Sequence, residues 1–473
     1  MSNPASRSWV APTVVSIVGT ALAAYLLAYD SYSLLWPDSG SYIHWEIARS
    51  AGYPLLLWAV GLFSTDLAAM RPTQMALLVG AAALLTAALE ALLKARGVPA
   101  ARVIAIGGGV AFVANTALMR FGLSILSEAP FAAFVAANLA FFVLLAIRPR
   151  PWTCLAFALT LAAAVLIRPA GLSLLLSIPM LLALPDVPGR RVFGYVVLPL
   201  GLILLTAAAA NYWRAGVFAL QEMGGISLAG HVASLAPDHL ETAHPVPTNQ
   251  IVSDLTSWRT QEAASTWPQE AYEFTTVEYN PMVHIVVGRF GDYVDGEARA
   301  GRVSSLPKHA VVNRLCHEFA LSVIRQAPFA YLRHVAAHLY GIWVLPQWRP
   351  APEVEAMKTR FASTDRVPSP VSNYEAHLLE FVSGRTPLFL LATRVTLAVV
   401  LLSSIAGMLA PFRLGLRDPL VATWFFASTN LHAAFLLVCA VQAASWRYSI
   451  VWWGHAVVSV VLCAILTARR ARG

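Results

Sequence analysis

The chain has 473 residues, 58% hydrophobic and only 12% charged, where an ordinary soluble domain is about 25% charged. With a mean hydropathy of +0.63 and a formal net charge of +8, this excludes a soluble enzyme, a disordered chain and a nucleic-acid-binding domain in water. It indicates an integral membrane protein with many spans, whose basic surplus belongs to cytoplasmic loops.

Met1 to Val10 reads as a short cytoplasmic tail, and the apolar run after it is too long for a signal peptide. Apolar stretches follow at about 11–29, 72–93, 103–120, 125–147, 152–167, 170–184, 192–213, 388–410, 420–442 and 448–467. A helix needs about 20 residues to cross a bilayer, so these predict about ten transmembrane helices in an all-α polytopic fold. The pair 152–167 and 170–184 is short, and reads as two spans meeting at Arg168-Pro169 or as one broken hairpin.

The loop charges set the orientation. With the N-terminus inside, the inner segments hold Arg7; Lys94, Arg96 and Arg102; Arg148 and Arg150; Arg190 and Arg191; Arg413 and Arg417; then Arg469, Arg470 and Arg472. This is the positive-inside pattern. The chain divides into a transmembrane module, 1–213, an extracytoplasmic loop domain, 214–387, and C-terminal transmembrane helices, 388–473. The first outer loop covers 30–70. The segment 214–387 carries 14 Lys/Arg against 17 Asp/Glu, and is too long and too patterned for a plain connector. It reads as a small domain of mixed structure. Its stretch from Lys308 to Leu345 looks helical and half apolar, suited to lying on the membrane or the bundle.

Ionisable groups at membrane depth are costly, so each is a functional candidate. The predicted outer ends carry Asp30 and Asp38 after the first span, Arg120 after the third, Glu128 entering the fourth, Arg168 between the fifth and sixth, and Arg447 and Tyr448 at the last. Asp38 precedes a predicted interfacial helix, Ser39 to Ala51, with Tyr42, Trp45 and Ala48 on one side. Gly52-Tyr53-Pro54 is expected to break it before a second apolar helix from Leu55 to Phe63. Taken alone, Asp38 reads as a helix cap, a reading compatible with a functional one because capping geometry also fixes a carboxylate in place. Arg168 and Arg447 have a plain reading as interfacial anchors, Asp30 as the mark where a span meets water, and Ser127-Glu128 as a helix start. Gly107-Gly108-Gly109 lies inside a span with no strand before it, so it reads as helix packing and not as a nucleotide loop.

Nine of the 12 His fall in 214–387, which raises metal binding. His334 and His338 are four apart and share a helix face. Without a His-Glu-x-x-His pattern no metal ligand is assigned, and a divalent metal stays open. Gly224, Gly225 and His231 are placed at an acceptor entrance, with loop flexibility as an equal account. Four cysteines, three in apolar runs, predict no disulfide framework.

Pro37-Asp38-Ser39-Gly40-Ser41-Tyr42 followed by Gly52-Tyr53-Pro54 resembles the first-loop signature of GT-C glycosyltransferases, a family that includes bacterial aminoarabinose transferases and protein O-mannosyltransferases. Ser127-Glu128-Ala129-Pro130-Phe131 is similar to the entry to their fourth span, Ile167-Arg168-Pro169-Ala170-Gly171 to their Arg-Pro turn, and Arg447-Tyr448 to an Arg-Tyr pair near their last spans. The resemblance covers about 11–213 and is thin elsewhere. Ser39 departs from it, standing where better-known members often carry an acid.

The resemblance implies a membrane enzyme that moves a sugar from a polyprenyl-phosphate donor to an acceptor hydroxyl outside the cytoplasmic (inner) membrane. Asp38 would be the base; Arg168, Arg447 and Tyr448 would bind the donor phosphate; and Asp30, Glu128 and Arg120 would support them. The acceptor is a lipid, a glycan or a protein hydroxyl, and membrane lipids are the other partners, with no nucleic acid. The competing readings are a lipid-linked glycan transporter or flippase, an enzyme like the O-antigen ligases, and a non-catalytic envelope assembly protein.

Overall fold

The computed structural model describes residues 9–30, 34–35, 38–262, 273–302, 304–344, 387–441 and 446–471; within helices, only the backbone is described at 259, 261–262, 273–281, 344, 387–390 and 446–447. Among the described residues every regular element is helical. In the first part these are α1 (Val10–Tyr29), α2 (Ser39–Ile43), α3 (Gly52–Gly61), α4 (Met70–Ala95), α5 (Ala101–Val113), α6 (Thr116–Phe121), α7 (Glu128–Ile147) and α8 (Pro151–Ile167). Then come α9 (Ser177–Leu182), α10 (Gly189–Val192) and α11 (Leu198–Ala215), the last two joined through a π turn at Phe193–Val197. The middle region holds α12 (Gly224–Val232), α13 (Pro245–Glu262), α14 (Glu273–Arg299), α15 (Lys308–Gln326) and α16 (Pro328–Val344). The C-terminal part holds α17 (Pro387–Leu414), α18 (Pro419–Val441), α19 (Trp446–Ile450) and α20 (Trp453–Arg470). Pro151, Pro328, Pro387 and Pro419 each open a helix, where a missing N–H costs nothing.

Among the described residues, seven helices are long and apolar enough to cross a membrane: Val10–Tyr29, Leu67–Ala95, Glu128–Ile147, Gly189–Ala215, Leu391–Leu414, Pro419–Val441 and Trp453–Arg470. The protein is a multi-pass membrane protein. The other three predicted spans are shorter or broken. Stretch 103–120 divides into α5 and α6 at Asn115, whose side chain accepts the Leu118 N–H and restarts the helix. Stretch 152–167 is α8, with 17 residues. Stretch 170–184 begins as a 3₁₀ segment, Pro169–Leu176, and only then becomes α9.

The helix ends gather at two poles. At one, Arg96 pairs with Asp418 at 3.0 Å, Arg469 donates to the Arg96 carbonyl, and Arg191 donates to the Pro149 carbonyl at 3.3 Å. The basic loops therefore contact one another. At the other pole, Arg120 at the end of α6 meets Asp30 at the end of α1, 2.8 Å apart. α7 runs through the centre, packed along α4 and α8, with its Asn138 amide donating to the Phe157 carbonyl of α8.

The glycine run is a packing device. A Cβ on Gly109 would stand 2.0 Å from Thr86 Oγ1 and 2.6 Å from Val15 Cγ2, so α5 approaches α4 and α1 as closely as backbone allows, whereas one on Gly107 would meet nothing within 4 Å. Gly109→Ala is expected to destabilise the protein by about 1–3 kcal/mol, the usual cost of overpacking, and Gly107→Ala to leave it unchanged. Melting curves of the two variants in detergent check the contrast.

The regular elements described in the domain expected to be of mixed structure are all helices. Ile226, Ala229, Val286, Phe290, Cys316 and Phe319 from α12, α14 and α15 form its own core. The helix predicted over 308–345 is two helices, because Ala327 leaves the helical region ahead of Pro328. α15 stays in that core. α16 packs on α17 and α18, and its Tyr331 hydroxyl donates to the Ala440 carbonyl at 2.7 Å. All four cysteines are free.

The first loop also differs from its sequence reading. The helix expected over Ser39 to Ala51 ends at Ile43, and Trp45 takes a left-handed backbone with φ 45°, a conformation that costs a bulky residue about 1–2 kcal/mol. Arg214 at the end of α11 holds it there: its guanidinium donates to the Trp45 carbonyl at 2.5 Å and lies 4.7 Å over the indole. Gly52-Tyr53-Pro54 does not break a helix but forms the first turn of α3, which ends at Gly61.

Candidate functional site

The second pole is built by the first loop folding onto the ends of α7 and α8. The Ile125 N–H donates to the Leu34 carbonyl at 2.7 Å, and Ser39 Oγ donates to the Ile125 carbonyl at 2.8 Å. A Cβ on Gly52 would fall 2.6 Å from the Leu166 carbonyl carbon, so only glycine lets α3 start against the last turn of α8, beside Arg168. Tyr53 packs edge-on against Tyr42 and donates to Gln74 Oε1 at 3.1 Å. Gln74, fully buried in α4, in turn donates to the Gly122 and Ser124 carbonyls. These contacts tie Ser39, Gly52 and Tyr53 to the bundle.

Asp38 lies at the start of α2 but does not cap it, since its side chain makes no cap hydrogen bond. Its Oδ1 accepts from Arg49 Nη2 at 2.9 Å. Arg49 also donates to Ser41 Oγ at 2.8 Å, and its guanidinium lies 4.6 Å over the Tyr42 ring. The Tyr42 hydroxyl shares a 2.9 Å hydrogen bond with Ser127 Oγ. Burial pushes the Tyr42 phenol above its ordinary pKa, against the opposing pull of Arg49 and Arg168, so it stays a neutral hydrogen-bonding group.

The next residue, Glu128, pairs with Arg168 at 2.7 Å, and the Arg168 guanidinium lies 4.9 Å over the Tyr448 ring. A polar cluster thus runs from Asp38 through Arg49 and Tyr42 to Ser127, and from the adjacent Glu128 through Arg168 to Tyr448, the two halves joined by the backbone between Ser127 and Glu128. It draws on residues more than 400 positions apart.

Exposure separates the two carboxylates. The Asp38 side chain is 31% exposed and Glu128 only 2%. Asp38 is therefore the carboxylate of the two that solvent reaches, whereas Glu128 is enclosed with Arg168. The Asp30–Arg120 pair joins α1 to α6 at the same pole. Arg447 lies in α19, but its side chain is outside the described residues.

The three residues assigned to an entrance occupy different settings. The Gly225 N–H donates to Asn313 Oδ1 at 2.9 Å, and a Cβ there would strike the Asn313 carbonyl. Gly224 has open space around its Cα. Just before them, the Glu222 N–H donates to the Ile47 carbonyl at 3.0 Å, so α12 begins directly above the first loop. His231 is buried, 3% exposed, and faces His334 and His338.

Arg49 is the site residue that sequence reasoning missed. On one continuous helix from Ser39 it would stand about 16 Å along the axis from Asp38, at 1.5 Å per residue. The turn at Trp45 brings it back. Gln74 was missed as well, because its partners, the Tyr53 hydroxyl and the Gly122 and Ser124 carbonyls, are distant in sequence. No family model, curated protein or solved structure matches the chain.

Proposed function

We propose that the protein is a GT-C-type membrane glycosyltransferase, moving a sugar from a polyprenyl-phosphate donor to an acceptor hydroxyl at the outer face of the cytoplasmic membrane. The observation that carries this reading is one partly exposed carboxylate, Asp38, held by Arg49 in the same polar cluster as a half-buried Arg168 paired with Glu128. A hydroxyl is a weak nucleophile, and a carboxylate within hydrogen-bond reach takes its proton as the oxygen attacks the anomeric carbon. The bond from that carbon to the phosphate oxygen breaks in the same step, inverting the centre. The leaving phosphate needs no acid, only cations against its growing charge. Arg168 serves that role, its planar fork suited to phosphate oxygens. Arg447, Tyr448 and Arg49 complete the phosphate side, while Asp30, Arg120 and Glu128 keep the helix ends in place.

Ten passes are the best account of the topology, the three shorter or broken stretches crossing with the seven long helices. The two poles support it: basic loops meet at one and the Asp30, Glu128 and Arg168 ends lie at the other. Helix ends are also where a lipid-linked donor presents its phosphate. A transporter or flippase would concentrate such groups near the midplane. The outer domain, starting above the first loop at Glu222, covers the site. Gly224, Gly225 and His231 belong to the region that selects the acceptor.

The direct test incubates membranes containing the protein with a panel of labelled polyprenyl-phosphate sugars and asks which label moves, and to what. Movement from one donor, lost in Asp38→Asn, supports the reading; no movement from any donor opposes it. Topology has its own check. Single cysteines at Ser257, Ser304 and Arg190, with the native ones removed, are treated with a membrane-impermeant thiol reagent in intact cells. Labelling is expected at 257 and 304 and not at 190. Labelling at 190 alone would invert the protein and remove the outer site.

A further inference from the structure

Away from the polar cluster around Asp38, three histidines meet where the outer domain rests on the bundle. His231 comes from α12, part of the outer core, and His334 and His338 from α16, the helix docked on α18. Their ring centroids lie 4.4–4.7 Å apart. One ring nitrogen from each falls within 4.8 Å of the other two. His334 Nε2 and His338 Nε2 are 3.1 Å apart. Two nitrogens bound to one tetrahedral metal at about 2.0–2.1 Å stand about 3.3 Å apart, so this pair already has the spacing of a shared ion.

The third histidine supplies an independent observation. His231 Nε2 is buried with no hydrogen-bond partner among the described residues. An unsatisfied polar atom in such a place costs about 1–3 kcal/mol, and it lies beside the other two rings. Burial, with a contribution from neighbouring imidazoles, lowers His231 to about 3 and His338 to about 2. Burial lowers His334 as well, and a neutral imidazole is the form that ligates metals without first losing a proton.

We propose that His231, His334 and His338 form a site for one divalent transition-metal ion, zinc in the first instance, which fastens α12 to α16 and so locks the outer domain onto the bundle. Three imidazoles without a carboxylate select an imidazole-preferring ion over magnesium or calcium. They leave the fourth tetrahedral position for a water molecule. The site does not depend on the glycosyltransferase reading, and its test needs no transfer activity.

The test uses the full-length protein in detergent, purified through a tag without histidines, stripped with a chelator and then titrated with zinc or cobalt(II). The wild type is expected to take up one zinc per chain, to melt at a higher temperature with zinc than without, and to give the intense visible spectrum of tetrahedral cobalt. His231→Gln and His334→Gln are each expected to weaken zinc binding by at least about 100-fold, beyond the roughly 10–100-fold typical of lost outer-shell partners. His284→Gln, an exposed histidine of the same domain, is expected to bind as the wild type does. If either ligand variant fails to fold, the wild-type cobalt spectrum and zinc stoichiometry still decide. A stripped, monodisperse wild type that takes up well under one zinc per chain overturns the proposal. So does uptake that His231→Gln leaves unchanged.

Discussion

Asp38→Asn is expected to lower sugar transfer by about 10²–10⁴-fold, the usual contribution of a general base, while the protein still folds and inserts. Asparagine keeps the size and the hydrogen-bonding oxygen but cannot accept the acceptor's proton. The structural cost is small, because the lost partner is a partly exposed ion pair with Arg49 at 2.9 Å, and exposed pairs contribute about 0–1 kcal/mol. Arg49 keeps its bond to Ser41 Oγ and its place over the Tyr42 ring. Initial rates with labelled donor, alongside gel filtration in detergent, check both halves. Near-native turnover would leave Asp38 as the partner of Arg49 only and make Asp30 the next candidate.

The second large effect concerns the Glu128–Arg168 pair. Both side chains are withdrawn from solvent, Glu128 almost wholly, at a separation of 2.7 Å. Removing one member strands the other charge in a poorly hydrated place, which typically costs about 3–5 kcal/mol. Glu128→Ala is therefore expected to melt well below the wild type. Arg168→Lys keeps the charge, so stability suffers less. It loses the planar fork, however, and with it a charged hydrogen bond to the donor phosphate, an interaction in the range of about 1.5–3 kcal/mol. The expected result is a rise of about 10–100-fold in KM for the donor with little change for the acceptor. A loss confined to the acceptor would contradict the assignment of Arg168 to the phosphate.

The parts of this architecture legible in the sequence are those set by local physics. α1 and α7 coincide with their apolar runs because each is a continuous stretch with polar residues at both ends. The basic loops announce their common pole because charge bias follows membrane side, and Arg96–Asp418 and Arg191–Pro149 bring members of the set together. The glycine run reads as packing because no strand precedes it, and Gly109 bears that out against Thr86.

What stayed hidden depends on tertiary contacts. The reversal at Trp45 has no glycine to mark it; Arg214, 169 residues further on, holds it instead. Arg49 was lost with that reversal. Asp38 looked like a helix cap because the pattern is right, yet its carboxylate turns to a cation that appears only once the chain folds back. His231 and the His334–His338 pair stood apart because their meeting depends on α12 and α16 converging. The regular elements described in the 214–387 segment, expected to be of mixed structure, are all helices, its apolar residues building a core only when α12, α14 and α15 pack.

The measurement closest to the central claim is the stoichiometry of donor cleavage in sealed proteoliposomes made with the purified protein. A doubly labelled polyprenyl-phosphate sugar, with distinct labels in the sugar and the lipid, separates the competing activities. The account predicts one polyprenyl phosphate released for each sugar joined to an acceptor, with the anomeric centre inverted and both products absent in Asp38→Asn. An intact donor that crosses the membrane with both labels still together would contradict it and identify a flippase.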